Sequence, residues 1–198
     1  MRQASAFLLL CYNAINKGDP RASHIADYLQ KQLDGNQGLS VQPIDPIFEL
    51  GEILAALNQF NPNQPITVAA TNALPTIRPT TDSNLVIFQY NWLSKSAKYV
   101  ADRRYASQLL DKILEQTDHH ISNKPVETNY LAVAFESIAT LYERSQPNYS
   151  IVESHLANLL IDLESRKDAY GLYRFTNGEA RIDITAHVLN GLFALLNK

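Results

Sequence analysis

Apolar side chains recur at helical spacing along almost the whole chain, which places them on one face of successive α-helices. The pattern predicts helices over roughly 2–16, 20–34, 46–59, 83–95, 98–116, 128–143, 149–166 and 184–197. Helix starts and stops reinforce it. Asp19-Pro20 and Asp45-Pro46 each read as a cap followed by proline at the first helical position. Ser150 with Glu153 has the spacing of a capping box, and Lys17-Gly18 and Asp34-Gly35 read as stops. Strand-like alternation is confined to two short places, Ile66–Ala70 and the Phe88, Tyr90, Trp92 series. The first lies between Asn61 and Pro79, where four prolines predict irregular backbone in place of an outer helix.

The helices differ in kind. Those around Gly51–Leu57 and Leu131–Phe135 are apolar on most sides and rich in alanine, whereas those carrying Asp27 and Lys31 or Asp111, Lys112 and Glu115 have one charged face. A helix apolar all round must be enclosed by protein, and a one-faced helix lies outside. The expected architecture is therefore all-α: antiparallel helix hairpins in two layers, forming a single domain over 1–198 with an irregular segment near 61–80. An internal repeat supports it. Asp34–Val41 followed by Ile44-Asp45 and a helix matches Asp168–Phe175 followed by Ile182-Asp183 and a helix.

The Gly171-Leu172-Tyr173 turn before Ile182-Asp183-Ile184-Thr185-Ala186-His187 resembles the (α/α)-toroid superfamily, which includes six-hairpin glycosidases and sugar epimerases. The resemblance implies a partial toroid with glycosidase- or epimerase-like activity on carbohydrate. With about five inner helices and three clear outer ones, the chain falls short of the six pairs of a full toroid. It is then an open arc or the C-terminal part of a longer protein, and a second copy or another partner is expected to cover helix 2–16.

Composition narrows the partners. The net charge of −3, with no basic cluster longer than Lys95/Lys98 or Arg103/Arg104, offers nothing to a phosphate backbone, so nucleic acid is not expected. No run approaches the roughly 18 apolar residues of a membrane span, and Ala6–Cys11 is too short for a signal-peptide core. The compartment stays open, with the cytoplasm favoured. One cysteine permits no internal disulfide, and His119-His120 lacks metal-ligand spacing, so neither a metal nor a cofactor is expected.

In a two-layer helical fold the starts of the inner helices gather at one mouth, at the positive ends of their dipoles. Asp183 and Glu127 are the candidate catalytic carboxylates, because two opposed carboxylates suit glycoside hydrolysis. His187, four residues after Asp183, is a candidate base oriented by it. Tyr170, Tyr173, Arg174, Arg181, Asp45 and Tyr130 are the candidate substrate contacts. The tyrosines would stack on sugar rings and the arginines would hold a uronate carboxylate. Asp45 and Asp183 have an alternative role as plain helix caps.

Overall fold

The computed structural model describes residues 2–16, 18–34, 44–45, 47–82, 84–122, 126–143, 149–175 and 177–196. Among them the regular structure is all α-helical. In chain order the helices are α1 (Arg2–Ile15), α2 (Pro20–Asp34), α3 (Leu50–Phe60), α4 (Pro65–Asn72), α5 (Val86–Ala97), α6 (Arg104–Ser122), α7 (Thr128–Leu141), α8 (Tyr149–Ser165) and α9 (Ile182–Leu196). A single 3₁₀ turn covers Leu74–Thr76.

The odd-numbered helices form an inner row in which α1 packs on α3, α3 on α5, α5 on α7 and α7 on α9. The even-numbered helices lie behind it. α2 sits against α1 and α3, α6 against α5 and α7, and α8 against α7. The all-round apolar helices are the inner ones, as expected: every residue of α3 from Gly51 to Asn58 is buried, and so is every residue of α7 from Tyr130 to Ala139. Two glycines set how closely the row packs. A Cβ on Gly51 would lie 1.9 Å from the Trp92 carbonyl oxygen, and one on Gly191 would lie 2.6 Å from the Phe135 ring. The backbones of α3 and α5 are in direct contact, as are α9 and the Phe135 face of α7.

The Pro-rich segment departs from expectation. It holds a two-turn outer helix, α4, packed on α2 and α3. Pro65 stands in its first turn, where a missing N–H costs nothing, so the prolines bracket the helix rather than block it. Ile66–Ala70 is thus helical. Buried Thr71 accepts a 2.8 Å hydrogen bond from Asn58 of α3, which docks the helix. The alternating Phe88, Tyr90 and Trp92 likewise lie in α5, where Tyr90 and Trp92 are buried by their neighbours. Tertiary enclosure overrides local strand preference in both places.

Helix starts are more varied than the sequence suggested. The Asp45 carboxylate accepts from the amides of Ile47 (2.7 Å) and Phe48 (3.2 Å), and Glu49 accepts from the Asp45 amide in return. This cap closes a turn over Ile47–Glu49 that leads into α3, and Arg2 ties Glu49 to the start of α1 at 2.8 Å. Asp45→Ala is expected to cost about 1 kcal/mol of stability, measured by urea unfolding. A loss under a few tenths of that would show that the cap is redundant. Ser150 is not a cap, because α8 already begins at Tyr149. Glu153 instead accepts the Tyr142 hydroxyl. The loop into α9 makes two turns with Gly171 and Gly178 at φ +81° and +85°, a backbone region that glycine adopts without strain. The first copy of the Gly-Leu turn, at 35–41, lies outside the described residues.

Candidate functional site

All five inner helices line one solvent-open hollow of about 400 Å³. Its walls include Phe7 and Cys11 of α1, Glu52 and Gln59 of α3, Lys95 of α5 with Lys98 just past its end, Glu136 and Thr140 of α7, and Asn190 of α9. The volume falls within the range of small-molecule sites.

A buried charge cluster forms its floor. Lys95 donates to Glu52 Oε2 at 3.0 Å and stands 3.5 Å from Glu136 Oε1, so these two carboxylate oxygens are separated by no more than the sum of those distances. Glu136 also accepts from Asn91 (2.9 Å) and Asn190 (3.0 Å), and its Oε2 lies 2.6 Å from His187 Nδ1. The Lys95 ammonium lies 4.7 Å from the Trp92 ring centroid and 5.8 Å from that of Phe7, and the two rings meet edge to face. Helices α3, α5, α7 and α9 each contribute a titratable side chain to this cluster.

Local structure accounts for the placement. Glu52 sits in the first turn of α3, where the helix dipole favours an anion, and Lys95 sits in the last turn of α5, where it favours a cation. Gly51 lets α3 approach α5 closely, and the Ser96 hydroxyl bonds the Gly51 carbonyl at 2.5 Å, which brings Glu52 to Lys95.

The two carboxylates share a cation but behave differently. Burial opposes ionisation of Glu136, yet Lys95, His187 and Asn91 outweigh it and hold the carboxyl down at about 2. Glu52 is also buried, and for it burial wins over its single partner Lys95, so its carboxyl is pushed up. Burial likewise works against the Lys95 charge, but Glu136 and Glu52 more than offset it and raise the ammonium. Paired carboxyls driven in opposite directions differ in how readily each gives up its proton.

The residues singled out in the sequence lie mostly elsewhere. Asp183 pairs with Arg181 on the exposed start of α9, at 2.5 Å. Glu127 occupies the exposed N-cap position of α7 without capping it through its side chain. Tyr170 is 88% exposed, whereas Tyr173 is buried with its hydroxyl on Glu164. Arg174 is held by Asp168 (2.7 Å) and the Gly178 carbonyl (2.6 Å), within a loop whose turn the Asp168 carboxylate organises by accepting from Tyr170 and Leu172. Tyr130 is buried against His120 in a stacked pair 3.9 Å apart. Asp45 caps its turn. Only His187 belongs to the cluster, and its partner is Glu136 rather than Asp183.

The cluster had one signature in the sequence. Glu52 and Glu136 are single carboxylates inside otherwise apolar inner helices, and an ionisable group there must be paired or shifted. Lys95, Asn91 and Asn190 had no such mark. No known protein family, curated protein or solved structure matches this chain. Among the described residues no helix is long and apolar enough to cross a membrane.

Proposed function

We propose that the hollow binds an oligosaccharide, making this chain a carbohydrate-binding or carbohydrate-active domain whose site lies on the inner helix faces rather than at the helix starts. The observation that carries this reading is the Glu52 carboxyl at the floor of the hollow, beside an aromatic wall. Glu52 is 1% exposed and only its Oε2 has a partner among the described residues. Among all the described residues, the buried polar atoms left without a partner are Asn13 Oδ1, Thr67 Oγ1, Asn129 Oδ1 and Thr185 Oγ1, none of which lines the hollow. Glu52 Oε1 is not one of them, so it keeps an opening to the hollow. Phe7, 43% exposed, offers a ring face to a sugar, and Gln59 adds an amide.

A thermal-shift screen against neutral and acidic oligosaccharides tests the reading. At 100-fold excess over Kd, a ligand bound only by the native state adds about 2.7 kcal/mol, or roughly 5–10 °C for a chain of this size. The rise is expected in wild type and is expected to vanish in Phe7→Ala. No rise with any oligosaccharide would overturn the proposal.

A helical-repeat scaffold for a protein partner is a second reading, supported by apolar stripes at both ends of the inner row. Leu8 and Ile15 are exposed on α1, and Ile182, Leu189, Phe193 and Leu196 are exposed on α9. Concentration-dependent association in light scattering, lost in Phe193→Glu, would favour it.

A further inference from the structure

Two lysines face the hollow, and they are not equivalent. Lys95 is committed to Glu52 and Glu136. Lys98, three residues on and just past the end of α5, is exposed on the same wall. Its ammonium lies 5.0 Å from the Tyr99 ring centroid, and it has no carboxylate partner among the described residues. The other titratable groups at the hollow or its floor are Glu52 from α3, Glu136 from α7, His187 from α9 and Cys11 from α1. Glu136 is neutralised by Lys95. Glu52 shares the same ammonium through its Oε2. Among the described residues, Lys98 is therefore the cation lining the hollow that has no carboxylate of its own, and Glu52 Oε1 is the carboxylate oxygen there that Lys95 does not engage.

We propose that the hollow prefers an acidic sugar, of the uronate class, with Lys98 pairing the ligand carboxylate and Glu52 Oε1 hydrogen-bonding the same sugar. This rests on the carbohydrate reading above and adds to it the charge of the ligand and the residue that selects it. A neutral sugar would leave Lys98 solvated and gain nothing from it. A carboxylate gains a charge-assisted hydrogen bond in a partly enclosed site.

The test compares two tetrasaccharides that are identical except for a terminal glucuronate or glucose, titrated calorimetrically into the full chain at low salt. The acidic ligand is expected to bind about tenfold more tightly. The advantage should shrink as salt is added. Lys98→Gln is expected to abolish the advantage, bringing the acidic and neutral ligands to equal affinity. The variant's circular dichroism and melting temperature should match wild type, since Lys98 is exposed. Equal affinity for the two ligands would overturn the acid preference and leave carbohydrate binding standing. An acid preference that persists in Lys98→Gln would overturn the assignment to Lys98. Binding of neither ligand would overturn this proposal together with the reading beneath it.

Discussion

Gly51→Ala is expected to lower the melting temperature by roughly 10 °C or more, a loss of about 4 kcal/mol. The added methyl would sit 1.9 Å from the Trp92 oxygen and 2.3 Å from its carbonyl carbon, so it meets backbone rather than a side chain that can swing aside. Relief requires α3 and α5 to separate. That movement breaks the Ser96–Gly51 bond and pulls Glu52 away from Lys95. Overpacking by one methyl usually costs about 1–3 kcal/mol, and the rigid neighbour places this case above that range. Gly18→Ala is the control, because the nearest atom to its added carbon would be Asn16 Oδ1 at 3.7 Å, an ordinary contact. The control should stay within about 0.5 kcal/mol of wild type. If the two variants melt together, the close approach of α3 and α5 is not what limits stability.

Lys95→Met is expected to cost about 3–5 kcal/mol at neutral pH, because it leaves Glu136 and Glu52 buried without their shared cation. Glu52→Gln, measured beside it, should cost far less, since Glu136 then keeps Lys95 to itself. The two carboxyls also predict opposite pH dependences. Glu136 is held below its ordinary value, at about 2, so its contribution is fully present above the unfolded-state pKa near 4.5 and is lost as pH falls toward 2. That contribution is on the order of 3 kcal/mol. Glu52 is raised, so its contribution is present below its ordinary value and is lost as pH climbs through the raised one. Urea unfolding between pH 2 and 8 should therefore show Glu136→Gln removing the acid-side decline and Glu52→Gln removing the decline above pH 4.5. The penalty of Lys95→Met should shrink at low pH, where both carboxyls take up protons. A Lys95→Met penalty that is constant across this range would mean that the cluster does not carry the charge coupling described.

Much of the fold was legible in the sequence because helical periodicity is a local signal. α2 occupies the expected range, and α1, α7 and α8 differ from expectation by only one or two residues at their ends. α6 begins several residues later than expected and runs on through Ser122, since Asp102 rather than Lys98 opens the turn that leads into it. α4 was hidden because proline is ambiguous by itself. It breaks a helix interior but suits a first turn, and only docking of Thr71 on Asn58 decides which applies. The candidate site was less legible. Asp45, Asp183 and Glu127 drew notice as acids at helix starts, and the first two serve a nearby amide pair or a neighbouring arginine. His187 drew notice for a partner one turn away, yet its partner is 51 residues distant.

The sequence by itself determined most of the helices and which of them are enclosed, since these depend on neighbours within a turn or two. Glu52 and Glu136 stand in it as single carboxylates of apolar helices, a signal that the reading from helix starts passed over. Tertiary structure alone decided what their partners are. Lys95 reaches both carboxylates and His187 reaches Glu136 because α3, α5, α7 and α9 stand side by side, at spacings set by Gly51 and Gly191. Charge coupling falls off within a few ångströms and is strong only where water is excluded, and one-dimensional spacing specifies neither condition.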